Sequence, residues 1–257
     1  MTFLRFVLNK KLMKKIFYLF AALFSLAVHA QEIETDRPDQ TENSALVPKG
    51  RFQFETGITH EQTGNHESEI MLPEILSKYG LGNAVELRLT TEFMYDQGQT
   101  DTYGLHALQV GAKIKILENE GAVPAISLIT QLQLPKVESP ESRTAHLAPE
   151  LRLVLRNELS DKVDVGYNTG IRWDGNSTQP EYFYTFAPNF KLTDKLQAFV
   201  ESFGNFQVAH HGHQWADGGL AFKLNDDLQL DFAAGYELTK TEGYHHFFES
   251  VGLSFRI

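Results

Sequence analysis

Three observations predict an all-β fold, an up-and-down antiparallel transmembrane β-barrel of about twelve strands preceded by a cleaved signal peptide. Apolar and polar residues alternate with period two along most of the chain. Long and short connections alternate between these segments. The N-terminus carries an export signal.

The export signal comes first. Lys14 and Lys15 precede an uncharged apolar run, Ile16 to Val28, and Val28-His29-Ala30 reads as a small-x-small cleavage site. Translation begins at Met1 or at the in-frame Met13, and residues 1–30 are expected to be removed. The run is too short to cross a bilayer as a helix. Its loss takes away five basic and no acidic residues, so the formal net charge moves from −10 to −15. Such an acidic chain is a poor partner for nucleic acid. The absence of cysteine from an exported chain excludes a disulfide framework and a thiolate metal site. No cofactor is expected.

Residues 31–50 form a polar stretch rich in Asp, Glu, Thr and Pro, expected to be an extended periplasmic lead-in or a plug folded into the barrel mouth. Residues 51–257 are expected to be the barrel. Its alternation is clearest from Ala84 to Tyr95, where Val85, Leu87, Leu89, Thr91, Phe93 and Tyr95 share one face and Glu86, Arg88, Thr90 and Glu92 the other. A lipid-facing row backed by a lumen-facing row explains this pattern. It recurs in 108–116, 163–173, 228–238 and 247–257. Segments 70–79 and 182–191 alternate weakly, because apolar residues occupy both faces.

The tight connections are 80–83, 118–121, 158–162, 192–195 and 225–227, all rich in Gly, Asn or Asp, residue types that suit turns. The long ones are 61–67, 96–104, 135–145, 174–180, 207–214 and 239–244. Their strict alternation places both termini on the turn side. Tyr79, Phe93, Tyr95, Trp173, Tyr182, Tyr236, Tyr244 and Phe255 fall near strand ends, as interfacial girdles would.

Glu34-Thr35-Asp36-Arg37-Pro38-Asp39-Gln40-Thr41-Glu42, followed by Val47-Pro48-Lys49-Gly50-Arg51-Phe52 and by Leu72-Pro73-Glu74 and Lys78-Tyr79-Gly80-Leu81, resembles a family of transporter-like outer-membrane barrels common in Bacteroidota, "putative MetA-pathway of phenol degradation". The resemblance implies an outer-membrane location in a Gram-negative cell. It also implies a channel or transporter for small solutes, aromatic or hydrophobic compounds among them; the sequence shows no phosphate loop, zinc-protease helix or nucleophile elbow, and no enzyme activity is expected. The expected partners are the outer-membrane bilayer and the barrel-assembly machinery, acting through the C-terminal strand.

The predicted lumen face carries Arg88, Lys113, Lys115, Arg152, Arg156, Arg172, Lys223 and Arg256 against Glu86, Glu92, Asp164, Glu201, Asp231 and Glu237. The signs nearly balance, whereas a selectivity ring would show one sign. Two readings follow, an internal salt-bridge network filling a modest barrel and a solute path lined by these groups. A sealed structural or surface-binding barrel is the alternative function. A third is a phospholipase-like hydrolase using His66 and Ser68, which lacks a visible orienting partner. His210, His211, His213, His245 and His246 lie in two long loops and are weak candidates for metal ligation, with no fixed spacing to support it.

Overall fold

The computed structural model describes residues 32–62, 68–97, 102–207, 210–239 and 246–257. The signal segment, His66, Tyr244 and His245 therefore lie outside the described residues. Twelve strands form one closed barrel: β1 (Phe52–Gln62), β2 (Ser68–Gly80), β3 (Val85–Gln97), β4 (Thr102–Leu117), β5 (Ala125–Gln133), β6 (Ala148–Ser160), β7 (Val163–Arg172), β8 (Glu181–Lys191), β9 (Leu196–Gln207), β10 (His210–Asn225), β11 (Leu228–Glu237) and β12 (Phe247–Arg256). Each strand pairs antiparallel with its sequence neighbour. β12 closes on β1 in register, Phe54 opposite Phe255 and Ile58 opposite Val251.

Alternation becomes inside and outside. On β3, Leu87 is 44 % and Leu89 41 % exposed on the outer surface, while Glu86, Arg88 and Thr90 are buried within. Outward rows on the other strands, such as Leu230 and Phe232 of β11, are equally exposed and form an apolar belt. Closure leaves no open sheet edge, as hydrocarbon requires.

The two weakly alternating segments are strands whose inner face is partly apolar. On β8, Phe183 and Ala187 are buried on the inside and Phe186 is exposed on the outside; on β2, Leu76 is buried beside the inward Lys78. A bulge between Met71 and Glu74 takes up Pro73, which lacks the N–H that a ladder uses.

Three connections differ from expectation, the first being 96–104, most of which is strand because β3 runs to Gln97 and β4 starts at Thr102. The histidine-rich stretch 207–214 is not a long loop, because β9 runs to Gln207 and β10 starts at His210. Pairing continues there (His210 opposite Gln207, His213 opposite Asn205) because backbone hydrogen bonds, not apolar side chains, hold strands that extend past the apolar belt. The connection after β4 is longer than expected, running from 118 to 124 around a bridge between Glu120 and Val123.

The segment before β1 does not trail away from the barrel. Ile33 N–H donates to the Asp226 carbonyl in the β10–β11 turn (2.8 Å), and Gly50 N–H donates to the Gly80 carbonyl at the end of β2 (2.7 Å). Both ends thus sit at the turn end, and residues 34–46 loop up between them. Ile33, Asp36, Thr41, Ser44 and Val47 are buried. Gly50 has φ +80°, a left-handed turn that suits glycine where the segment swings into β1.

Candidate functional site: the charged lumen

Asp36 is the centre of the contacts between this segment and the wall. Its carboxylate accepts from Lys78 Nζ (2.8 Å) and Lys113 Nζ (2.8 Å), and from Arg88 Nη1 (3.0 Å). Lys78 also pairs with Glu55, and Arg88 Nη2 is bidentate on Glu42 (2.8 and 2.9 Å). All three cations come from consecutive strands, β2, β3 and β4. Register puts Lys78 opposite Arg88 and Glu86 opposite Lys113, so the sheet itself brings the charges together. Breaking a buried pair by removing one partner typically costs about 3–5 kcal/mol, because a charge is left behind without water.

Arg37 points the other way. Its guanidinium donates to Asp231 Oδ1 of β11 (3.0 Å) and to Ser250 Oγ of β12 (2.9 Å). The slot for it is made by two paired glycines. A Cβ on Gly57 would lie 2.3 Å from Arg37 Cζ, and one on Gly252 would lie 2.4 Å from Arg37 Nε. The tip of the segment then meets β8, β9 and β7. Gln40 N–H donates to Glu201 (2.8 Å), Thr41 Oγ1 lies 2.7 Å from Thr185 Oγ1, and Glu42 N–H donates to Asn168 (2.8 Å). On the return, Val47 N–H donates to Glu86 (2.8 Å).

Eight of the residues expected on the lumen face touch this segment directly: Glu86, Arg88, Lys113, Arg152 (to the Gln40 carbonyl, 3.0 Å), Arg156 (to Glu34, 3.4 Å), Glu201, Lys223 (to Glu32, 2.7 Å) and Asp231. Asp164 acts through Arg156 (3.2 Å). The Lys223 hydrogen bond holds the Glu32 carboxyl below its ordinary value. Lys115 and Arg256 lie at the turn rim instead, pairing with Glu118 (3.1 Å) and Asp227 (2.8 Å). Glu92, Arg172 and Glu237 lie toward the loop end. Glu92 takes Gln109 (3.3 Å), Arg172 pairs with Glu181, and Glu237 faces His213 (2.6 Å) and His246 (3.4 Å).

His213 and His246 thus come together on one buried carboxylate, across β10, β11 and the start of β12. No group of three metal-ligating side chains occurs among the described residues. Asp36, Arg37, Glu42, Glu55, Lys78 and Asn168 are missing from the sequence-based lumen set. Asn168 shares the parity of Asp164 and Arg172 on β7, whereas the set holds no residue of β1 or β2, the strands of Glu55 and Lys78. The others belong to a segment whose place inside the wall no periodicity reports.

Beside the segment, a polar recess of about 290 Å³ opens to the turn end, bordered by Glu34, Arg37, Arg156, Asp164 and Lys223. Toward the loop end the two sides of the lumen differ. β9 to β12 present Phe199, Phe203, Trp215 and Phe248, with the Phe203 and Trp215 rings stacked at 6.0 Å. β7 and β8 place Phe183 beneath Arg152 (4.7 Å) and Arg172 (5.5 Å). On β2 to β6 the facing groups include Glu92, Gln109 and Gln131.

Residues 35–257 match the family described as "Putative MetA-pathway of phenol degradation". The chain belongs to that family. The match begins inside the lumen segment rather than at β1, so the family pattern includes the residues that meet the wall. Among solved structures, an outer-membrane channel from Pseudomonas putida F1 superposes with TM-score 0.64 at 14% identity, covering 87% of this chain and 100% of the channel. The NanC porin follows at TM-score 0.58 and 9% identity (79% and 98% covered), and the KdgM porin in complex with disordered oligogalacturonate at 0.54 and 13% (78% and 98%). These likenesses establish the fold. A comparison with curated proteins finds no match.

Proposed function

We propose that the protein is a channel for small solutes in the outer membrane of a Gram-negative cell, held closed from the periplasmic side by residues 32–50. The observation that carries this reading is the ring of contacts around Asp36, Arg37, Gln40 and Glu42, which engages β2, β3, β4, β9, β11 and β12 at once. A segment entering and leaving at one end can withdraw without threading its chain through the barrel. The recess beside it gives it room to move. Turns are short and termini periplasmic in this class of barrel, which assigns the segment to that side. The aromatic side of the lumen near the loop end supports aromatic or other small hydrophobic solutes as cargo. The outer belt suits the bilayer, and β12, which completes the barrel against β1, is the strand we assign to recognition by the barrel-assembly machinery.

A sealed barrel is the second reading, favoured by the density of ion pairs around Asp36. A disulfide distinguishes the two. The chain has no cysteine, so Thr41→Cys with Thr185→Cys, at hydroxyls 2.7 Å apart, introduces one bond between segment and wall. In planar bilayers the oxidised pair is expected to be silent and the reduced pair to show discrete current steps. Silence in both, and in a chain lacking residues 32–44, refutes the channel and establishes the sealed barrel.

A further inference from the structure

Two inward charges of opposite sign depend wholly on the segment for their partners. Among the described residues, the Lys113 ammonium pairs only with Asp36 Oδ1 (2.8 Å), the Asn43 carbonyl (2.7 Å) and Glu42 (3.6 Å). The Asp231 carboxylate pairs only with Arg37, at 3.0 Å. Lys78 and Arg88 differ, because Glu55 and Glu86 of the wall stay with them. Both the Lys113 and Asp231 side chains are fully covered while the segment is in place. Withdrawal therefore bares one cation on β4 and one carboxylate on β11, and charges inside a protein need partners.

Asp36 and Arg37 satisfy both charges at once, with a third contact between them. Their backbone N–H groups donate to one oxygen of Glu55, at 2.9 and 3.1 Å. A carboxylate on the cations, N–H donors on Glu55 and a guanidinium on Asp231 reproduce the order of functional groups in free arginine. The spacing agrees. Glu55 and Gly57 are two residues apart on the inward face of β1, about 7 Å, the reach of an extended arginine side chain. Gly57 and Gly252 hold the slot for the guanidinium open, since a Cβ on them would lie 2.3 and 2.4 Å from its atoms.

We infer that residues 36 and 37 occupy a binding site for a free amino acid of arginine's form, with its carboxylate on Lys113, its ammonium on Glu55 and its guanidinium on Asp231 between Gly57 and Gly252. The inference rests on the channel reading above in taking the segment as removable. The ligand competes with the segment and holds the barrel in its withdrawn state. Its room is the volume of the two residues themselves, and the recess of about 290 Å³ that Arg37 borders lies beside it. A simple anion answers Lys113 alone, an amine Asp231 alone, and a neutral aromatic solute neither. One molecule with both ends replaces both pairs for a single loss of translational freedom.

The test is calorimetric titration of the full chain in detergent with L-arginine and two relatives. L-Citrulline replaces the guanidinium by a neutral urea of the same shape, and agmatine lacks the carboxylate. Arginine is expected to bind at least about tenfold more tightly than either. Because the segment competes for the seat, Asp36→Ala, which leaves the wall whole, is expected to tighten arginine at least about tenfold. Asp231→Asn in that background is expected to remove the preference over citrulline. In wild type, exchange at residues 33–47 should be faster in arginine than in citrulline at equal concentration, a readout that needs no variant. No saturation by arginine up to about 100 mM in wild type and D36A, equal affinity for citrulline or agmatine, or arginine binding that a folded D36A fails to tighten overturns the site. Current in planar bilayers is read separately. Arginine selectivity in a silent barrel overturns the channel and keeps the site, while discrete current steps without arginine selectivity overturn the site alone.

Discussion

Removing the Asp36 carboxylate is the sharpest perturbation of the lumen contacts. In Asp36→Ala three buried cations lose an acceptor within 3.0 Å. None is stranded while the segment stays in place. Lys78 keeps Glu55, Arg88 keeps Glu42 and Glu86, and Lys113 keeps the Asn43 carbonyl at 2.7 Å and Glu42 at 3.6 Å. The loss therefore belongs at the low end of the range for a broken buried pair, about 3 kcal/mol, a shift of roughly 10² in the balance between inserted and withdrawn segment. Strand pairing does not use this side chain, so the barrel should retain its heat-modifiable migration on gels. Hydrogen exchange read on residues 33–47 should accelerate by about the same factor, and single-channel records should show longer openings. Exchange within about threefold of wild type, with unchanged openings, would refute the assignment of Asp36 as the principal anchor.

Three further outcomes follow from the same geometry. Gly252→Ala places a methyl 2.4 Å from Arg37 Nε and 2.6 Å from Asp231 Oδ1. It should cost about 1–3 kcal/mol of segment retention by overpacking, seen as faster exchange at residues 33–40 with the barrel intact. Arg172→Glu reverses the charge paired with Glu181 over Phe183 and should move the reversal potential in a salt gradient toward cation selectivity; no movement would put Arg172 off the ion path. In the loop after β5, burial raises the Glu138 carboxyl, but hydrogen bonds from its own backbone, Thr144 and Gln133 outweigh this and hold it below its ordinary value of 4.5. A depressed carboxyl stabilises the folded loop above the unfolded value and loses that contribution as pH falls through the folded one. Exchange in residues 134–147 should therefore accelerate on acidification below about pH 4.5 in wild type and show no such step in Glu138→Gln.

The barrel was legible because its rule is local. One face meets hydrocarbon and the other does not, so Leu87 and Glu86 declare their sides without any tertiary knowledge. The rule weakens where an inward position has a reason to be apolar. Phe183 lies under two arginines and Leu76 sits between Lys78 and Glu74 along β2, and both blurred their strands. It also fails beyond the apolar belt, where His210 to His213 pair as strand although their polarity resembles a loop. The lumen contacts were only half legible. Parity selects Arg88 and Lys113, but nothing in their own segments indicates that the acid between them is Asp36.

The near balance of the lumen charges has a different meaning once their positions are known. Lys78, Arg88 and Lys113 lie on β2, β3 and β4, and Arg152 and Arg156 on β6, so the wall groups that pair with the acids of the segment on this arc are cations. Glu201, Asp217 and Asp231 lie on β9, β10 and β11, an arc rich in acids. The segment follows this division at four positions, turning Glu34, Asp36 and Glu42 toward the first arc and Arg37 toward the second, while Asp39 faces Glu201 and Asp217. A segment rotated by half a turn would set Asp36 against Asp231 and Arg37 against Arg88, with like charges facing in a low-dielectric interior. Opposite arcs thus fix the orientation as well as the attraction, and swapping Asp36 with Arg37 should disrupt insertion more than neutralising either one. Retention of the swapped segment, measured by the Thr41–Thr185 disulfide yield, would show that shape and not charge sets its seat.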